Sequence, residues 1–252
     1  MSRRLLIAPL SLFLVVVLAA CNVRTAVTVD VADDGSGTVE VALGLDADAV
    51  GRLPDLDDDG ASGPADLAAL VRADDLVAAG WSVDAPEADA DGTTWLRVSR
   101  PFGTPAEAEQ ILAGVAGPDG ALRDLRLTRT ESFGRTQYEF TGTADLSGGL
   151  EAFGDEGLAA ALDGEPLGED AAAIELRAGE PLADVFTFEV VARLPGESTT
   201  WAPRLGDGPV EMSSSSTVID WPVVALAVLA AASAAAVVVV LALRTGRSRR
   251  RA

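Results

Sequence analysis

The chain of 252 residues contains no lysine, no histidine and a single cysteine, Cys21. Each absence removes a class of chemistry. Ser-His-Asp and Cys-His mechanisms need an imidazole base. Phosphate-loop nucleotide hydrolysis and Schiff-base catalysis need a lysine. Zinc sites of the usual kind need histidines or several cysteines. One cysteine forms no intramolecular disulfide. Carboxylates, Tyr138, hydroxyls and arginines are what remains. A glycosidase-type carboxylate pair needs neither lysine nor histidine. With 39 acidic residues, however, no pair stands out as acid and nucleophile. The expectation is a protein that is not an enzyme and has no cofactor.

The two ends read as membrane-directed segments. Residues 1–21 form a secretory signal: Arg3 and Arg4, then an apolar run from Leu5 to Leu18 that is short for a membrane span. It closes on Leu18-Ala19-Ala20-Cys21, which resembles the lipobox of bacterial lipoproteins. That resemblance implies cleavage before Cys21 and a diacylglyceryl anchor on its thiol, with palmitate as a further acyl group. At the other end, residues 221–243 carry no charge and Ser233 as the one internal polar group. At about 1.5 Å per residue this stretch crosses a hydrocarbon core of roughly 30 Å. Trp221 sits at its start, where an indole suits the interface. Arg244, Arg247, Arg249, Arg250 and Arg251 make residues 244–252 a basic tail, cytoplasmic by the positive-inside rule. Residues 22–220 are then expected outside the cell membrane, anchored at both ends.

Between the anchors stand 12 arginines against all 39 carboxylates, a balance of −27. Nucleic acid is excluded as a partner, because binding it needs a basic face. Anionic headgroups repel such a domain within a Debye length of about 10 Å.

The hydropathy pattern predicts an α+β domain over residues 22–205, an antiparallel sheet with helices packed on one face. Val27, Val29 and Val31 alternate with polar residues, as do Val39, Val41, Leu43 and Leu45 beyond an Asp34-Gly35-Ser36-Gly37 turn. Leu67, Leu70, Val71 and Val77 predict a helix ending near Gly80. Strands are predicted at 81–83 and 93–102. Thr104-Pro105-Ala106-Glu107 has the form of a helix start, with the helix ending at Gly117. Residues 122–133 and 136–146 predict a second hairpin about Gly134, with Leu125, Leu127, Tyr138 and Phe140 inward. Gly148–Gly179 gives weak signals, with one short helix at 158–162. A strand is predicted over 185–194, and residues 206–220 read as a Gly/Ser-rich linker.

One acidic stretch has a metal-loop pattern. Asp55, Asp57 and Asp59 with Gly60 fit D-x-D-x-D-G, and Asp66 falls at position twelve. Asp66 is shorter than the bidentate Glu usual there, Pro64 intrudes, and no helix leads in. We read a solvated acidic loop, keep calcium as the lesser reading and assign no metal. Trp81, Trp95, Phe140, Phe186 and Phe188 could line an apolar lipid groove or simply fill a core.

The layout of lipobox cysteine, Asp34-Gly35-Ser36-Gly37, Phe133 to Leu146, Leu194-Pro195-Gly196 and one C-terminal span resembles the LppM-type membrane lipoproteins of actinobacteria. Here Glu197 to Trp201 stands where that family often places Asn-Gly. The resemblance implies a cell-envelope α+β domain, an LppM domain, that binds envelope lipid or glycolipid without catalysis. The alternative is a scaffolding module that contacts other envelope proteins. With strand one beginning at Val23, lipidated Cys21 is expected to hold the hairpin tightly to the membrane, the linker leaving the other end loose.

Overall fold

The computed structural model describes residues 22–51, 53, 63–71, 73–117, 120–149, 175 and 181–249. Strands β1 (Val23–Val31) and β2 (Gly37–Leu45) pair antiparallel around an acidic turn. Gly35 supplies the left-handed backbone there, with φ of 87°. The Asp34 carboxylate accepts bonds from the Ser36 amide and hydroxyl at 2.9 and 2.6 Å. Short helices follow: α1 (Ala47–Val50), α2 (Pro64–Leu70) and α3 (Ala73–Ala78). The single helix expected to end near Gly80 is therefore two pieces.

Next come β3 (Ser82–Val83), β4 (Glu87–Ala88) and β5 (Thr94–Phe102). Helix α4 (Pro105–Ala116) begins and ends where its cap residues predict. Thr104 Oγ1 accepts from the Glu107 amide, Glu107 returns a bond to the Gly103 amide at 2.7 Å, and Gly117 closes the helix at φ 70°. The chain continues through β6 (Leu122–Ser132), β7 (Arg135–Ala144), α5 (Leu182–Val185), β8 (Phe186–Leu194), β9 (Glu197–Trp201), β10 (Val210–Ile219) and α6 (Trp221–Arg249). The short helix expected at 158–162 lies outside the described residues.

The α+β class with antiparallel-rich sheets is as expected, but the strands form two sheets. The first runs β3-β5-β2-β1-β8-β9, with β4 also on β5. Within it β1 and β8 are parallel neighbours. The second is β10-β7-β6, all antiparallel. One core serves both. Val29, Val39 and Val190 of the first sheet and Tyr138, Phe140 and Met212 of the second are almost wholly removed from water. Side chains such as Phe140 and Met212 contribute about 1.5–3 kcal/mol each on burial. Helix α4 contacts β2 and β5 on one side and β6 on the other, so it bridges the sheets.

Two expectations are corrected. Residues 206–220 are not a linker, since β10 occupies 210–219 and pairs with β7 along its whole length. The serine run hid its period of two: Met212 and Ser214 are buried while Glu211, Ser213 and Ser215 are exposed. Ser214 turns inward because its hydroxyl meets Thr199 Oγ1 at 2.9 Å. Leu125 is only half-buried, because the β6–β7 register slips between Arg123 and Arg126 around left-handed Asp124. Leu125 then folds over Gly142, where a Cβ would lie 2.5 Å from its Cδ2. The helix that begins at Trp221 contains the apolar stretch 221–243 and runs on through Arg249.

The two sheets are tied near the β1–β2 turn. The Tyr138 hydroxyl donates to the Asp33 carbonyl and accepts from Arg129 Nε at 3.3 Å. Tyr138 is fully buried, so Tyr138→Phe removes both bonds without opening the core and is expected to lower stability by about 1 kcal/mol in urea unfolding. An unchanged midpoint would remove this tie from the list of stabilising contacts.

A pH dependence also follows. The Ser36 hydroxyl, then its amide, hold the Asp34 carboxyl below its ordinary value of 3.8. The Ser147 hydroxyl, its amide and Arg123 do the same for Asp145. Both groups bind protons less readily folded than unfolded, so their contribution is complete above 3.8 and fades as pH falls through the lowered folded values. The melting temperature should drop on acidification below about pH 4, and Asp34→Asn with Asp145→Asn should flatten that drop.

Candidate membrane-facing site

The β6–β7 hairpin turns through two residues, Phe133 and Gly134, between the paired Ser132 and Arg135. Gly134 takes φ of 70°, a conformation costly for any residue with a Cβ. On the other side of β7, strand β10 runs to its end with Ile219 opposite Arg135. One residue, Asp220, then separates the last strand from helix α6.

Asp220 is bonded in three ways. Its amide donates to the Gly134 carbonyl at 3.0 Å. Its carboxylate accepts from the Val223 amide at 3.2 Å, and its carbonyl accepts from the Val224 amide at 3.0 Å. It thus caps α6 while holding the helix start against the hairpin tip. Gly134 makes the approach possible, since a Cβ there would lie 2.8 Å from Val224 Cγ2.

Beyond this contact the helix leaves the domain. The stretch Trp221–Val238 has a mean hydropathy of 2.2, and none of it is buried. Its one hydroxyl, Ser233, is satisfied internally by the Leu229 carbonyl at 2.8 Å. With 29 residues the helix is about 43 Å long. It is long and apolar enough to cross a membrane. The junction carries further apolar surface: Phe133, Ile219 and Trp221 are 77, 46 and 68 % exposed.

The residues singled out from sequence fall elsewhere. Cys21, Asp55, Asp57 and Asp59 lie outside the described residues. Asp66 is wholly buried, and its carboxylate accepts from the Gly63 amide at 2.8 Å, closing the start of α2. That bond ties it to its own helix, which gives its burial a local reason. Among the described residues no group of three His, Cys, Asp or Glu side chains is placed to hold a metal ion. Phe140, Phe186 and Phe188 are core residues, and Phe140 lies 5.9 Å from the Trp201 ring. Trp95 covers Gly44 on the neighbouring strand and donates to Asp89 at 2.9 Å.

Sequence reasoning placed Gly134 at the turn but missed Phe133, Ile219 and Asp220 as a unit. The available signals were a phenylalanine in a tight turn, where polar residues prevail, and an Asp-Trp-Pro helix start.

Gly134→Ala is expected to destabilise the junction by about 1–2 kcal/mol, because left-handed backbone and the Val224 contact both penalise a methyl group. Gly208→Ala, which meets nothing within 4 Å, is the control and should leave the melting temperature unchanged. Equal melting of both variants would mean the hairpin tip does not hold the helix. No known protein family, curated protein or solved structure matches this chain.

Proposed function

We propose that this chain is a membrane-anchored lipoprotein of the cell envelope, whose α+β domain lies outside the cytoplasm and acts by non-catalytic binding. The observation that supports it most is the junction at Asp220, where a folded sheet passes directly into an unburied apolar helix. Such a helix in water would expose a continuous hydrophobic surface, which a bilayer removes. The arginines from 244 onward orient the tail toward the cytoplasm. The resemblance to LppM-type lipoproteins adds a diacylglyceryl anchor at Cys21.

The leading ligand is an envelope lipid or glycolipid. Because Phe140, Phe186 and Phe188 are consumed in the core, binding at the domain surface fits better than engulfment in a deep groove. The same packing favours, as the second reading, a scaffolding module that meets other envelope proteins through its acidic surface. The two attachments would be separated. Asn22, next to Cys21, is held by Asp46 through a 2.7 Å bond at the start of β1. The opposite end of β1 leads to the turn that Tyr138 ties to the second sheet. The junction at α6 is short and capped where the sequence led to the expectation of a loose linker.

Native mass spectrometry of the full chain, released from a native-like host membrane in detergent, tests this reading. The expected species begins at Cys21, carries a covalent diacylglyceryl increment and releases a bound lipid on activation. A co-purified protein in fixed stoichiometry would move the conclusion to scaffolding. A chain with neither increment nor partner would refute the lipoprotein reading.

A further inference from the structure

We propose that Phe133, Ile219 and Trp221 form an apolar foot that inserts into the interfacial layer of a lipid bilayer and sets the orientation of the domain on its helix. The proposal rests on the reading of α6 as a membrane span and adds a second, lateral contact with the same lipid surface.

Among the described residues outside α6, the exposed large hydrophobic side chains are Val77, Phe133 and Ile219. Two of these three flank the first residue of the apolar helix. Phe133 sits in a two-residue turn with 77 % of its surface open and no core to fill. Water gives that position no reason to be aromatic, whereas a bilayer interface does.

The junction has no slack. Strand β10 is paired to β7 as far as Ile219, and α6 begins two residues later. The Asp220 amide is bonded to the carbonyl of Gly134, the residue after Phe133. Wherever Trp221 enters the membrane, Phe133 and Ile219 are carried to nearly the same depth. Lifting them away would require breaking the β10–β7 ladder or the cap. Arg135, exposed and in register with both Ser132 and Ile219, places a cation at that level, where lipid phosphates lie.

Tyr138 and Ser216 stand opposite one another, three residues back from the Arg135–Ile219 pair. Their hydroxyls bond to the Asp33 and Pro195 carbonyls. The β1–β2 and β8–β9 turns are thereby held within about 10 Å of the foot along the strands. Asn22 and Asp46 lie at the other end of the nine-residue β1 and β2, about 27 Å from those turns. A seated foot therefore fixes which turns lie nearest the lipid, and a lipid on Cys21, beside Asn22, reaches the same surface only with β1 lying along it.

The test uses the full chain in a Cys21→Ser background, reconstituted in phosphatidylcholine and phosphatidylglycerol vesicles at high lipid-to-protein ratio. Single cysteines at Phe133, Leu226 and Ala47 carry a nitroxide label, and power saturation compares oxygen with a water-soluble nickel chelate. Leu226 is the reference within the span, and exposed Ala47 is the reference at the far end of β2. The expected result is an oxygen-to-nickel accessibility ratio at Phe133 well above that at Ala47 and approaching that at Leu226. A ratio at Phe133 equal to that at Ala47, with Leu226 reading lipid, overturns the foot and leaves the span intact. A water-like ratio at Leu226 overturns the span and the foot with it. Dipolar broadening at Phe133 that survives lipid dilution means a second copy covers the patch, which overturns the lipid assignment.

Discussion

The hydrogen bond from the Asp220 amide to the Gly134 carbonyl is the contact on which the arrangement of this protein turns. It closes the end of the β10–β7 ladder, and because the carboxylate of the same residue caps α6, it holds that helix against a hairpin tip. A flexible connection would let the domain sample many orientations relative to α6. One capped residue does not. The mechanical character of the molecule follows from that economy of chain length, and from the glycine that lets Val224 approach the turn.

The rest of the domain supports this joint from above. The second sheet, which carries the joint, is only three strands wide and gains its stability by sharing a core with the first. Tyr138 and Ser216 fasten its lower part to the turns of the first sheet, and helix α4 spans the two sheets. The central strands β1 and β2 have buried side chains on both faces in their middles. The parallel neighbour of β1, β8, turns Phe186, Phe188, Val190 and Ala192 inward. Acidic residues cluster instead at turns, where Asp34 and Asp145 hold the following serine by hydrogen bonds. At these two turns the charge serves local geometry.

Some of this was legible without coordinates because local chemistry decides it. The hairpin β1–β2 follows from alternating valines around Asp-Gly-Ser-Gly, and helix α4 follows from Thr104, Pro105 and Gly117. Gly134 marked the second hairpin for the same reason. Strand β10 escaped notice because Ser213 to Ser216 have the composition of a linker. What makes them a strand is the edge of β7, a partner some seventy residues away. The foot was invisible for a related reason: Phe133 and Trp221 are distant in sequence and only the ladder brings them together.

The sequence by itself determined the chemistry this protein lacks, the acidic balance of its folded part, the apolar helix near its C-terminus and the strands and caps whose signals are local. Those depend on residue type and short-range periodicity, which a chain carries wherever it goes. Tertiary structure decided the split into two sheets, the conversion of a serine-rich stretch into a paired strand and the meeting of Phe133, Ile219 and Trp221 around Asp220. These depend on which strand edges remain free to pair after the core has closed, and pairing between distant segments leaves no periodic trace in either one.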